Sequence, residues 1–156
     1  MRSRGWLGLI GFIVLCNGVG FASAMVANEP SFYLTLVRPS WAPPPWLFGP
    51  VWTALYTMMG IATWLVNRRA RGPERGRAIG AFAAQLAINA AWTPVFFGLH
   101  LVGAAVFVIA AVLVAVVVML LEYRRHSSAA AWLTAPLAAW VSFATALNVA
   151  IWSLNR

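Results

Sequence analysis

The chain has 156 residues, 62% of them hydrophobic, with a mean hydropathy of +0.80 and a net charge of +8. A soluble domain is about 45–50% apolar, so this composition excludes a water-soluble globule. The charge argues against a nucleic-acid binder as well: all eleven basic residues are arginines, set in short clusters between apolar runs rather than along one folded surface.

Five apolar segments follow one another, at about 6–27, 45–66, 79–99, 103–123 and 129–152. Each has the roughly twenty residues that a helix rising ~1.5 Å per residue needs to cross a ~30 Å hydrocarbon core. None shows the period-two alternation of a barrel strand. The expected fold is an all-α integral membrane protein, one domain over residues 1–156 built as a five transmembrane helix bundle.

The first segment has two readings. Arg2, Arg4, the apolar run and Ala22-Ser23-Ala24 resemble a signal peptide with its cleavage site. The run continues past that site to Ala27, which favours a retained helix. Cys16 lies inside it and, as the single cysteine, forms no internal disulfide.

A loop at about 28–44 then leads into the second segment. Residues 38–52, RPSWAPPPWLFGPVW, hold five of the nine prolines and three of the nine tryptophans. Proline is excluded from helix interiors but welcome in the first turn, so Pro43, Pro44 and Pro45 form a stiff lead-in and Pro50 sits near the helix start. Trp41 and Trp46 suit the headgroup depth where most interfacial tryptophans form a simple aromatic belt. A loop this rigid, carrying Phe32, Tyr33 and Trp41, reads further as a preformed lid.

A lid requires a cavity beneath it. In the second segment Trp52, Tyr56, Met59 and Thr63 share a face. In the third, Gln85, Asn89, Trp92 and Phe96 form one stripe at 100° per residue and Ala83, Ala87 and Ala91 the opposite one. The fourth has no polar residue between Gly103 and Leu121 and reads as a lipid-facing wall. In the fifth, Trp140, Ala144 and Asn148 recur every four residues. Buried amides in a membrane commonly serve as interhelical hydrogen-bonding glue. Three helices that each offer aromatic and uncharged polar groups point instead to an apolar pocket with a few placed polar contacts. The alanine stripe, following Gly76 and Gly80, has the small-residue spacing of a close helix–helix contact, either within the monomer or between two copies.

Counting arginines orients the chain, because cytoplasmic loops carry the excess of positive charge. An N-terminus inside puts Arg2, Arg4, Arg68, Arg69, Arg71, Arg75, Arg77, Arg124 and Arg125 on the cytoplasmic side and leaves only Arg38 and Arg156 opposite. The expected location is a bacterial cell membrane. The stretch 67–77 reads as the topology-setting loop.

The inventory of reactive groups is sparse. Cys16 is mid-helix, and His100 and His126 fall at opposite ends of the fourth segment, so no metal or haem ligand set forms. No intramembrane acid or base suits a proton-coupled pump. Flat aromatic surface remains, and indole faces suit flat ligands at about 0.5–1.5 kcal/mol per stacked pair beyond burial.

The strings PSWAPPPWLFGPVWTALYTMMG at 39–60, QLAINAAWTPVFFG at 85–98 and PLAAWVSFATALNVAIW at 136–152 resemble the tryptophan-rich sensory protein and mitochondrial translocator protein family, also called peripheral-type benzodiazepine receptors. That resemblance implies five transmembrane helices, a homodimer, and porphyrin, sterol or benzodiazepine-type ligands bound in a pocket closed by the first loop; no cofactor is expected, from the sparse inventory of reactive groups. It implies ligand contact at Tyr33, Trp41, Trp52, Tyr56, Asn89, Trp92, Trp140, Ala144 and Asn148. The light-dependent porphyrin breakdown of some members would fall on Trp52 and Trp140. With the dimer it implies, the alanine stripe becomes the candidate interface. Two departures stand out: Leu137 where members often have tyrosine, and Val149 in place of the late tyrosine of the animal cholesterol-recognition segment, which counts against sterol transport. The combined expectation is a membrane binding protein for planar hydrophobic ligands, porphyrins first, acting in their sensing, sequestration or transport.

Overall fold

A computed structural model of the chain describes residues 3–27 and 31–156. Five long helices form the bundle: α1 (Ser3–Ala27), α3 (Phe48–Arg69), α4 (Gly72–Thr93), α5 (Val102–His126) and α6 (Ser128–Leu154), with a single-turn α2 (Phe32–Thr35) between α1 and α3. A 3₁₀ turn at Pro45–Leu47 precedes α3, and a π turn at Pro94–Gly98 extends α4. α1, α4 with its π turn, α5 and α6 are long and apolar enough to cross a membrane. α3 matches α4 in length at 22 residues but is not among these four.

The helices run around the bundle in the order α1, α3, α6, α5, α4 and back to α1. α1 and α3 touch backbone to backbone at Gly60, where a Cβ would stand 2.8 Å from the Ile13 Cα. Small residues allow such an approach in lipid, where dispersion rather than water exclusion drives packing. Buried hydrogen bonds add direction: Thr63 and Tyr123 pair their hydroxyls at 2.7 Å across α3 and α5. Gln85, Asn89, Trp92 and Phe96 are buried, while Ala83, Ala87 and Ala91 are exposed on the far face of α4.

Helix bounds differ from the sequence reading chiefly at the arginine-rich stretch. Residues 67–77, expected as a loop, are helical apart from Ala70 and Arg71. Pro73 falls in the first turn of α4, where its missing N–H costs nothing, and Glu74 complements the positive end of the helix dipole. The arginines extend α3 and α4 beyond the apolar spans. At the other end of α4, Pro94 closes the regular helix at Thr93, short of the expected residue 99. Lacking an N–H, Pro94 leaves the Ala90 carbonyl without its helical donor; the Ser23 hydroxyl of α1 donates to it at 2.6 Å.

The α3–α4 and α5–α6 junctions lie at the same end, joined by Arg69, which donates to Ser127; Ser127 also caps α6 by accepting from the Ala130 N–H. The Trp64 indole donates to the Gly5 carbonyl, bringing the start of α1 to this end as well. Arg2 and the side chain of Arg4 lie outside the described residues, as do Asn28, Glu29 and Pro30 of the expected lid.

Candidate functional site

The segment after α2 is tied down at several points. Tyr33 is buried and donates its hydroxyl to the Pro43 carbonyl at 3.1 Å, so one end of the segment holds the other. Burial pushes the Tyr33 phenol above its ordinary range, with the nearby Arg38 partly offsetting this, and the hydroxyl keeps its proton near neutrality. The Arg38 guanidinium lies 4.9 Å from the Tyr33 ring centroid. Asn155, just beyond α6, accepts from the Val37 N–H at 3.0 Å and donates to the Val37 carbonyl at 2.9 Å, imitating a strand partner. Phe32 stacks on His100 with centroids 4.0 Å apart. Prolines restrict the segment's own backbone, and these contacts fix where it sits.

Beneath it lies a cavity of about 460 Å³ between α1, α3 and the end of α4. Tyr33, Phe48, Trp52, Tyr56, Trp92 and Phe97 supply its aromatic walls. The Trp52 and Tyr56 rings lie 5.5 Å apart at 31°, and the Trp92 and Phe96 rings 5.3 Å apart at 33°. α1 closes the remaining side with Asn17, Gly20, Phe21 and Ala24. Gly20 is required there, because a Cβ would stand 2.3 Å from Tyr56 Cε2. Phe21, Gly49 and Thr53 line the cavity and are also exposed, so its mouth lies along the seam between α1 and α3. A small void of about 10 Å³ lies alongside, sharing Tyr33, Phe48, Trp92 and Phe97 and adding Ala144 and Asn148.

The residues singled out from the sequence divide accordingly. Tyr33, Trp52, Tyr56 and Trp92 line the cavity, and Ala144 and Asn148 line the small void. Asn148 uses its amide on the protein: Oδ1 accepts from the Trp92 indole and Nδ2 donates to the Val102 carbonyl, each at 3.0 Å. Trp140, Trp41 and Asn89 line neither space. Trp140 meets Phe48 edge-on at 6.1 Å, backing the wall, and its buried N–H has no partner among the described residues. Trp41 is half exposed and rests edge-on against Phe143 at 5.7 Å. Asn89 is buried one turn from Trp92; among the described residues its Nδ2 and both amide ends of Gln85 have no partner.

Sequence reasoning overlooked the α1 wall, since the first segment read as a plain apolar anchor. One signal was present: Asn17 is an amide inside an apolar run, the feature that drew attention to Gln85 and Asn89. Among the described residues no three His, Cys, Asp or Glu side chains converge on a metal position. What the walls offer is stacking and apolar burial beside a few hydroxyl and amide groups.

Known proteins resemble this chain over nearly its full length. It is 40% identical to the tryptophan-rich protein TspO of Chlorobaculum tepidum, covering 92% of each chain. Identity to the translocator protein of Homo sapiens is 35%, over 97% of this chain and 92% of that one. The tryptophan-rich sensory protein of Cereibacter sphaeroides is 32% identical over 96% of this chain and 92% of its own. The pattern of the TspO/MBR family matches residues 12–153. With an apolar helical bundle and an aromatic cavity in place, the chain belongs to the TspO/MBR family of multi-pass membrane proteins.

Proposed function

We propose that the protein binds planar hydrophobic ligands, porphyrins foremost, in the cavity below the lid, and serves in their sensing, sequestration or transport. The observation that carries this reading is the cavity itself: about 460 Å³, walled by Trp52, Tyr56, Trp92 and other rings. That volume lies within the roughly 300–1,000 Å³ of small-molecule sites, which pair apolar walls with few polar groups. Aromatic faces hold a flat conjugated ligand by offset stacking, and the lid segment limits its escape. The arginine bias supports an N-terminus on the cytoplasmic side.

The test is quenching of tryptophan fluorescence by protoporphyrin in detergent-solubilised protein. Trp52→Ala is expected to raise the dissociation constant at least tenfold, the equivalent of about 1.4 kcal/mol for a lost stacking wall. An unchanged constant in a folded variant removes the cavity as the binding site.

A further inference from the structure

The seam between α1 and α3, where the cavity opens, carries a hydrogen-bonded polar ladder. Asn17 Nδ2 donates both to the Ile13 carbonyl at 3.0 Å and to Thr57 Oγ1 at 3.1 Å. The Thr57 hydroxyl in turn donates to the Thr53 carbonyl at 2.8 Å, and the Thr53 hydroxyl to the Gly49 carbonyl at 2.9 Å. A primary amide has two N–H donors and a hydroxyl has one, so every donor in this ladder is used within the protein. The orientation of the Asn17 amide is fixed by chemistry, since the Ile13 carbonyl can only accept. Within the ladder, what is left for a ligand is acceptor oxygen: Asn17 Oδ1 takes no hydrogen bond among the described residues and Thr53 Oγ1 still has acceptor capacity, while the Trp52 indole and Tyr56 hydroxyl are donors elsewhere on the same α3 wall.

We propose that Asn17 is the polar anchor of the cavity and selects, among flat apolar ligands, those bearing an N–H or O–H donor on the edge that meets the α1–α3 seam. The inference rests on the cavity being the binding site and adds a residue and a polarity rule. Close to lipid, water competes poorly for Asn17 Oδ1, and a ligand donor there satisfies an oxygen that the fold leaves open.

Carbazole and dibenzofuran separate this from simple burial, because they are near-isosteric and differ in a ring N–H against a ring oxygen. Their dissociation constants are measured by equilibrium dialysis in detergent and corrected for partition into empty micelles. Wild-type protein is expected to favour carbazole by about fivefold, as one net hydrogen bond of this kind provides. In Asn17→Ala, and in Asn17→Leu as the second variant, that preference falls to about one while dibenzofuran affinity stays within about twofold, also reporting that the cavity is intact. Equal affinities in wild type, or a preference that survives both substitutions, overturns the anchor and leaves the cavity assignment standing. Binding of neither compound by wild-type protein overturns both.

Discussion

Asn148 and Gly20 illustrate how single residues shape the site without necessarily touching a ligand. Asn148 holds Trp92 through its indole N–H and is itself held by the start of α5. Asn148→Leu leaves a buried indole donor and the orientation of a cavity wall unsupported, a loss of about 1–3 kcal/mol. The expected readouts are a lower thermal midpoint in detergent and a weaker protoporphyrin complex; a variant as stable as wild type would mean that Trp92 finds another partner. At Gly20 the effect is steric. Any side chain must displace the Tyr56 ring, which a Cβ would approach to 2.3 Å. Overpacking of this kind costs about 1–3 kcal/mol, so Gly20→Val is expected to reduce both stability and ligand affinity. Gly18, with nothing within 4 Å of its would-be Cβ, is the matched control in the same helix.

At the scale of elements, the lid and the α1–α3 pair act in different ways. The lid is stiffened by its prolines and fastened by Tyr33, Asn155 and the Phe32–His100 stack. Replacing Pro43 and Pro44 by glycine enlarges the conformations open to the free segment. Replacing Asn155 by alanine releases Val37 while leaving backbone freedom unchanged. Both changes are expected to speed protoporphyrin dissociation several-fold with little change in helix content. Stopped-flow chase experiments decide it: unaltered rates in both variants would show that the segment is not a barrier to escape. The α1–α3 pair touches backbone to backbone at Gly60 and also borders the cavity at Phe21, Gly49 and Thr53, so the same two helices form both a tight contact and the cavity mouth.

For the whole molecule the open question is its neighbour in the membrane. Gly76, Gly80, Ala83, Ala87 and Ala91 all lie exposed on one face of α4, opposite the buried Gln85–Trp92 stripe. We propose this face as the homodimer contact, since two such surfaces can bring helix backbones close together in lipid. Ala87→Phe is expected to yield a monomer in mild detergent that still binds protoporphyrin, because the substitution lies on the helix face turned away from the cavity. Light scattering of the detergent complex reads the mass, and a variant that stays dimeric places the contact on another face. The two ends of the bundle also differ in charge. Arg68, Arg69, Arg71, Arg75, Arg77, Arg124 and Arg125 gather at the end holding the α3–α4 and α5–α6 junctions, whereas Arg38 and Arg156 belong to the lid end.

Length and hydropathy determine the five long helices, because a lipid environment leaves the backbone almost no other way to satisfy its hydrogen bonds. Periodicity likewise determines which face of α4 is buried, since amides and rings at four-residue spacing turn together. The resemblance of the proline- and tryptophan-rich strings to a known family is legible at the same level. Tertiary structure decided the rest. Trp41 and Trp140 share the residue type of Trp52 and Trp92, and Asn89 lies on the same stripe of α4 as Trp92, yet of these only Trp52 and Trp92 line the cavity, because lining depends on how the helices cross and not on the period within one helix. The wall formed by Asn17, Gly20, Phe21 and Ala24 is invisible in a segment whose composition suggests only an anchor. It becomes a wall because α1 packs against α3, backbone to backbone at Gly60 and against the Tyr56 ring at Gly20, which places those residues beside the cavity.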